Sequence, residues 1–515
     1  MALRIGATAV MLAVALLLAA VAPHEARADE ALLPDEAAGD ADASLQADVD
    51  PTDAGVAAVG EEPEGAELAS ALDGYLAEAF PASGLPGLAV AVVDADGVRY
   101  LGTYGDVARS DGLDGSDATF LIGSLSKSVC AVAVMQLVEE GLVDLDAPAA
   151  RYAPEYATPP EVTVRSLLNQ TSGFGYFDAL SDASAGPSAG EFSYANANYD
   201  LLGRIVEDVS GQNYGTYLRS HVFDALGMDD ASVAGEPARA AEAMGHRGWF
   251  GVDVADGFVH EEGDSAWGGP ASGYVRASVS DMASYLRMYL NSGAGALSAA
   301  SVHQMVFSRV PDPSGDTFYG FGWTTYSWDD GELVMSHDGQ VENCVARMCV
   351  IPGRGLGVVV LANANDEFGG NESFFQLADD VTSLAVGGVA TGVDAGARAL
   401  SHAVYDAVYL LAVAAAAAPL ASVVRGSWRR RWAAAGTGRR WELALPAAFL
   451  HVMVPVYLLG LPGGLGMRWQ DFADFYPDQT LVLLACVALL VVAGVAKAVV
   501  AVRVLLMGRG YIASS

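Results

Sequence analysis

Three apolar runs near the C-terminal end, Val404 to Val424, Leu443 to Leu461 and Thr480 to Leu506, constrain this chain more than any other feature. Each is about 20 residues or longer, enough to cross ~30 Å of hydrocarbon as a helix. In lipid the backbone must satisfy its own hydrogen bonds, so such runs have little choice of conformation. The connection between the first two carries Arg425, Arg429, Arg430, Arg431, Arg439 and Arg440, whereas the next has Arg468 against Asp471, Asp474 and Asp478. Arginine-rich connections stay in the cytoplasm, which places the preceding residues outside. Trp428, Trp432, Trp441 and Trp469 fall where interfacial aromatics are expected. His451, Lys497 and Arg503 are the few polar groups in the spans, too few for a transport path. Lys497 is close enough to the cytoplasmic end to snorkel, and the bundle reads as an anchor.

The other end agrees. Arg4, an apolar run from Ala7 to Ala22 and Ala26-Arg27-Ala28 predict a cleaved export signal over residues 1–28. Residues 29–66 are mainly Ala, Asp, Glu, Gly and Pro without an aromatic side chain, a composition expected to stay disordered as an acidic linker. Asp and Glu outnumber Lys and Arg by 63 to 27, a net charge of −36 that excludes nucleic acid or an anionic surface as the main partner. Of the four cysteines Cys486 lies in an apolar run, leaving Cys130, Cys344 and Cys349 outside it, too few for a disulfide framework. Cys344 and Cys349 are expected on opposite faces of a strand, with a link from Cys130 to one of them left open. The eight histidines are scattered and suggest no metal site.

Between these ends, residues 67–390 read as one mixed domain, followed by a membrane region over 391–515 with helices at about 404–424, 443–461 and 480–506. Leu68, Leu72, Tyr75, Leu76 and Phe80 recur at helical spacing, and strands at Leu88 to Val93 and Val98 to Tyr104 flank the turn Asp94-Ala95-Asp96-Gly97. Helices are predicted for Lys127 to Glu140, Leu201 to Val209, Asp281 to Leu290 and a closing helix including Asp379 to Val386. Two strands surround Pro352-Gly353.

The domain's single lysine stands in Ser124-Leu125-Ser126-Lys127, where strand-like Phe120-Leu121-Ile122 and Gly123 run into a helix. That position puts the Ser124 hydroxyl near the positive end of the helix dipole, with Lys127 on the same face one turn on. A lysine kept neutral by burial or by neighbouring positive charge takes the proton of such a serine.

Phe120 to Asp146, FLIGSLSKSVCAVAVMQLVEEGLVDLD, resembles the nucleophile helix of the class C β-lactamase, serine-type DD-peptidase and esterase superfamily. The resemblance continues in order through VRSLLNQTSG (Val164 to Gly173), FSYANANY (Phe192 to Tyr199), PASGY (Pro270 to Tyr274), YGFGW (Tyr319 to Trp323) and His337-Asp338-Gly339, covering roughly residues 67 to 385. It implies an α+β fold, an antiparallel sheet flanked by helices with a mostly helical subdomain inserted between the Ser124 helix and the His337 strand, in addition to the three C-terminal membrane helices. It implies Ser124 as nucleophile, Lys127 as base, Tyr194 as proton shuttle, and Asn196, His337 and Gly339 as substrate-binding residues. The oxyanion would sit on the backbone N–H groups of Ser124 and Gln340. No metal or organic cofactor is implied; the partners are a small peptide, ester or β-lactam substrate and the membrane.

His337 departs from the lysine that β-lactamases of this family carry at that place, which favours D-amino-acid peptides of the cell wall as substrate. An esterase or β-lactamase on the same machinery, or a non-catalytic wall-binding receptor, are the alternatives. With an ordinary pKa near ~6.5, His337 is expected to gain its charge just below neutrality and so to tie carboxylate binding to pH.

Overall fold

A computed structural model describes residues 65–107, 115–313, 315–328 and 330–512. The expected export signal and nearly all of the acidic linker lie outside the described residues. The described residues divide into two compact units, one of those up to Arg398 except Gly248–Val252, the other from Ala399 onward together with Gly248–Val252.

The first unit opens with α1 (Gly65–Ser83), which buries Leu68, Leu72, Leu76 and Ala79 along one stripe. The hairpin of β1 (Gly87–Asp94) and β2 (Val98–Gly105) follows. Its turn is held by the Asp94 carboxylate, which accepts from the N–H groups of Asp96 and Gly97 at 2.8 and 2.9 Å. Then come β3 (Thr119–Leu121), α2 (Ser126–Glu139), α3 (Asn196–Ser210), β4 (Ser232–Val233), β5 (Val275–Ser278) and α4 (Val279–Leu290). Strands β6 (Val310–Pro311), β7 (Phe318–Gly320), β8 (Trp323–Ser327), β9 (Leu333–Val341), β10 (Cys344–Ile351) and β11 (Leu356–Ala362) precede α5 (Asn371–Ala385).

The main sheet is antiparallel, ordered β2-β1-β11-β10-β9-β8-β7-β6, and β3-β5-β4 forms a small second sheet. Strand β1 is buried along nearly its whole length because both faces of the sheet are covered. Ala89, Ala91 and Val93 join α2 and α4 in one core, while Leu88, Val90 and Val92 join α1 and α5 in the other. This is the expected α+β arrangement. Cys344 packs with Tyr274 and Val341 whereas Cys349 lies in the α1/α5 core, and all four cysteines are buried and free, so the disulfide left open from Cys130 does not form.

Among the described residues three helices are long and apolar enough to cross a membrane, Ala395–Val424, Trp441–Leu459 and Pro477–Met507, all in the second unit save that the first begins just before the division at Arg398. The middle one contains a π-turn, Phe449–Met453. Pro455 follows it and has no N–H to give the His451 carbonyl four residues back. Lys497 does not snorkel as expected. It is buried among the helices, where its ammonium donates to His451 Nε2 at 2.9 Å, and the His451 Nδ1–H donates to the Leu490 carbonyl at 2.8 Å.

Candidate active site

Strand β3 delivers the chain to Gly123, whose φ of +57° lies in the left-handed region. A side chain there would run into the backbone of Gly339 and Gln340, and one at Gly339 would strike the Ile122 carbonyl. These two glycines let the turn carrying Ser124 lie against the free edge of β9, beyond Ser336 where its pairing with β8 ends. Ser124 sits in a 3₁₀ turn, Gly123–Leu125, immediately ahead of α2 rather than within its first turn. Small hydroxyls tie this junction down: Ser126 Oγ accepts from Val275 N–H at 3.1 Å, and Ser128 Oγ donates to the Leu125 carbonyl at 2.8 Å.

Lys127 is fully buried. Its ammonium donates to Ser124 Oγ at 2.9 Å, Asn196 Oδ1 at 2.7 Å and the Ser272 carbonyl at 2.7 Å, one acceptor for each of its three hydrogens. It also lies 4.7 Å from the centroid of the Tyr194 ring. Three segments far apart in sequence therefore meet at one nitrogen. A lysine so placed faces the oxygen whose proton it would take as an uncharged amine.

Tyr194 and Asn196 are set by Gln170, a buried residue in a left-handed conformation, φ +58°. Its carbonyl accepts from Ser193 N–H at 2.8 Å and its Oε1 from Ala195 N–H at 3.0 Å, so Tyr194 is clamped on both sides. Gln170 Oε1 also accepts from Asn198 Nδ2, and Asn198 Oδ1 accepts from Ser172.

His337 is only 7% exposed. Its Nδ1–H donates to the Asp338 carbonyl at 2.7 Å, which fixes the tautomer and leaves Nε2 to accept from the Tyr319 hydroxyl at 3.3 Å. Burial, and secondarily the charge on Lys127, push its pKa down to about 4. The expectation that His337 gains its charge just below neutrality is therefore overturned: it is neutral through the physiological range. The Asp338 carboxylate pulls the other way without prevailing, and it forms a two-pronged ion pair with Arg347, which also binds Asp379.

The structure thus brings Ser124, Lys127, Tyr194 and Asn196 together around one ammonium. Tyr194 and His337 are neighbours with ring centroids 6.4 Å apart, and Gly339 and Gln340 line the edge beside Ser124. Sequence reasoning missed the Ser272 carbonyl, a backbone group without a residue signature, although it singled out the segment PASGY. It also missed Gln170, Tyr319 and Asp200. Asp200, one turn beyond Asn196, is partly buried as a residue, yet its Oδ1 is sealed from solvent with no partner. Burial pushes its pKa up to about 6, against the opposing pull of Ser272 and Lys127. Asp200 also lies on the wall of a separate cavity of about 790 Å³, whose lining includes none of Ser124, Lys127, Tyr194, Asn196 or His337.

An antiparallel sheet with a Ser-x-x-Lys turn pressed against its open strand edge is the arrangement of serine hydrolases of the beta-lactamase fold. Residues 68–381 match the family described as beta-lactamase, and the chain belongs to that family. It is 32% identical over 318 residues to penicillin-binding protein 4 of Amycolatopsis lactamdurans, covering 54% of this chain and 81% of the relative. It is 24% identical over 311 residues to protein flp of Staphylococcus aureus, spanning 61% of that relative and 55% of this chain. Among solved structures, an octameric penicillin-binding protein homologue from Pyrococcus abyssi aligns with a TM-score of 0.50 at 25% identity, covering 63% of this chain and 79% of the other. A D-amino acid amidase from Ochrobactrum anthropi SV3, at 23% identity and TM-score 0.51 over 62% of this chain and 98% of its own, shares the fold.

Proposed function

We propose that the protein is a membrane-anchored, extracytoplasmic hydrolase that forms an acyl-enzyme on Ser124 and acts on amides and peptides of D-amino acids. The observation that carries this reading is the Lys127 ammonium, buried and bonded to Ser124 Oγ at 2.9 Å. Once Lys127 has given up a proton and stands as the uncharged amine, its lone pair takes the hydroxyl proton as Ser124 attacks the carbonyl carbon, and the developing oxyanion is held by the Ser124 and Gln340 N–H groups. Tyr194, beside the same ammonium, passes the proton to the leaving nitrogen. Asn196, whose Oδ1 accepts from Lys127, has its amide N–H₂ to offer the substrate. Water then releases the acyl group. A relative that binds penicillin, a cyclic amide, supports an amide carbonyl as the target of Ser124.

Neutral His337 refines the substrate. A free carboxylate on the leaving side meets no charge from the third motif, so uncharged amides and esters are favoured over substrates with a terminal carboxylate. The same observation supports the esterase reading, and the two are divided by a panel of D-amino-acid amides, D-Ala-D-Ala peptides and p-nitrophenyl esters. Labelling with a fluorophosphonate or a fluorescent penicillin tests the nucleophile. Ser124→Ala is expected to lose both label and turnover while keeping the thermal transition of the wild type. Residual turnover above about a tenth of wild type sinks the assignment, because loss of a nucleophile costs several orders of magnitude.

A further inference from the structure

The arginine-rich connection between the first two long helices is folded. After Gly426, in the left-handed conformation at φ +67°, residues Ser427–Ala434 form a short helix. Trp428 and Trp432 are buried on one side of it, while Arg429, Arg430 and Arg431 are exposed. The two indoles stack with centroids 5.8 Å apart. The Lys497 ammonium lies 4.9 Å from the Trp428 centroid, and the Arg440 guanidinium 5.8 Å from that of Trp432.

This cluster has donors and cations in excess of acceptors. Trp428 Nε1–H is used, donating to the Lys497 carbonyl at 3.2 Å. Trp432 Nε1–H, on a residue only 8% exposed, is sealed from solvent with no partner, and so is Arg440 Nε. Among the described residues Lys497 meets only a neutral imidazole and an indole face, and no carboxylate pairs with it or with Arg440. A buried indole N–H and a buried guanidinium Nε–H without acceptors are costly unless something supplies oxygen atoms and negative charge. The place is the end of an apolar bundle, where tryptophans mark the level of lipid headgroups. A phosphodiester joined to acyl chains meets each requirement: its oxygens accept from Trp432 and Arg440, its charge balances Arg440 and Lys497, and its chains lie along the apolar helices.

We propose that Trp432 and Arg440, with Lys497 adding charge, bind the phosphate group of an anionic membrane lipid. The inference rests on the membrane reading of the three helices but not on the catalytic one. The chain's overall negative charge does not oppose it, since the field at this cluster is set by its own arginines and lysine.

The test uses the full chain, purified in detergent and stripped of lipid, with bound molecules counted by native mass spectrometry. Phosphatidylglycerol is expected to give one retained adduct at least tenfold tighter than phosphatidylcholine. Trp432→Phe, which keeps an aromatic ring and removes only the N–H donor, and Arg440→Gln should each reduce phosphatidylglycerol binding toward the phosphatidylcholine level, with an unchanged thermal transition in detergent showing that the chain is intact. Equal binding of the two lipids, or phosphatidylglycerol binding unchanged in both variants, overturns the proposal. Inorganic phosphate that binds as tightly as phosphatidylglycerol, and is lost in the same variants, would assign the site to a soluble anion and overturn the lipid. Failure of the wild type to float with phosphatidylcholine vesicles would overturn the membrane reading beneath it.

Discussion

The chain contains two lysines, Lys127 and Lys497, and both are buried against neutral acceptors. For Lys127 the sequence already carried the message, because a lone lysine three residues after a serine at the start of a helix has few bland explanations once later motifs follow in order. For His337 it did not. The charge of an imidazole depends on its access to water and on neighbouring charge, and neither is written in the tripeptide His337-Asp338-Gly339. Two measurements follow. First, kcat/KM for a carboxylate-bearing peptide divided by that for an uncharged ester should stay flat from about pH 6 to about pH 8.5, since His337 remains neutral throughout. A ratio that falls with rising pH would show that His337 is charged and faces the carboxylate. Second, the folded protein withholds a proton from His337 that the unfolded chain accepts below its ordinary value of 6.5. Stability is therefore lost as pH falls from about 6.5 to about 4 and levels off below, by an amount on the order of 3 kcal/mol for a shift of this size. Asp200, raised to about 6, acts in the opposite sense, gaining stability as pH falls toward its unfolded value near 3.8. The difference in urea midpoint between wild type and His337→Gln isolates the histidine: the variant should lose less stability between pH 7 and pH 4.5. Parallel pH profiles for the two would contradict a buried neutral imidazole.

At the scale of elements, legibility followed length and periodicity. The helix at Gly65–Ser83, the hairpin after it and the strands around Pro352 stood where spacing put them, because each has a long stripe or alternation that only one structure buries. Helix ends were less legible: α3 begins at Asn196, five residues before the predicted start, since its first turn is built from polar site residues without an apolar repeat. Strand β3 was read within a residue of its place, but its partners β5 and β4 and the strands β6 and β7 were invisible, being two to four residues long and held by partners distant in sequence. Gln170 was equally hidden, because a left-handed glutamine whose two oxygens hold the segment on either side of Tyr194 has no local pattern. Its removal should be felt at the tyrosine. Gln170→Ala is expected to lower kcat on amides about tenfold or more with KM changed by less than about twofold, the sign of an interaction that matters in the transition state. Fluorophosphonate labelling of Ser124 should fall far less, since its fluoride leaves without a proton from Tyr194. Equal losses in labelling and amide turnover would mean that Gln170 supports the whole site rather than the tyrosine.

At the scale of the molecule, the two units differ in what holds them. The first has two cores on the faces of one sheet, whereas the second exposes many large apolar side chains, among them Leu410, Leu411, Val456, Val495 and Val502. Such a surface is stable only when covered, and three helices of this length point to lipid as the cover. Which way they run is then decided by charge. Moving six arginines, Arg425 to Arg440, across a membrane is far less favourable than moving the stretch holding Arg468 with Asp471, Asp474 and Asp478, so the first connection should remain in the cytoplasm and the second face outward. The four native cysteines are buried, so a cysteine placed at Gly436 or Gly466 can be read against a low background. With a membrane-impermeant maleimide, Gly466→Cys should react in intact cells and Gly436→Cys only after permeabilisation. The catalytic unit lies on the same side as Gly466 if the first long helix crosses once, so a protease added outside should remove hydrolase activity together with the labelled site. Labelling of Gly436→Cys in intact cells would invert the topology and place the Ser124 site in the cytoplasm, away from any cell-wall peptide.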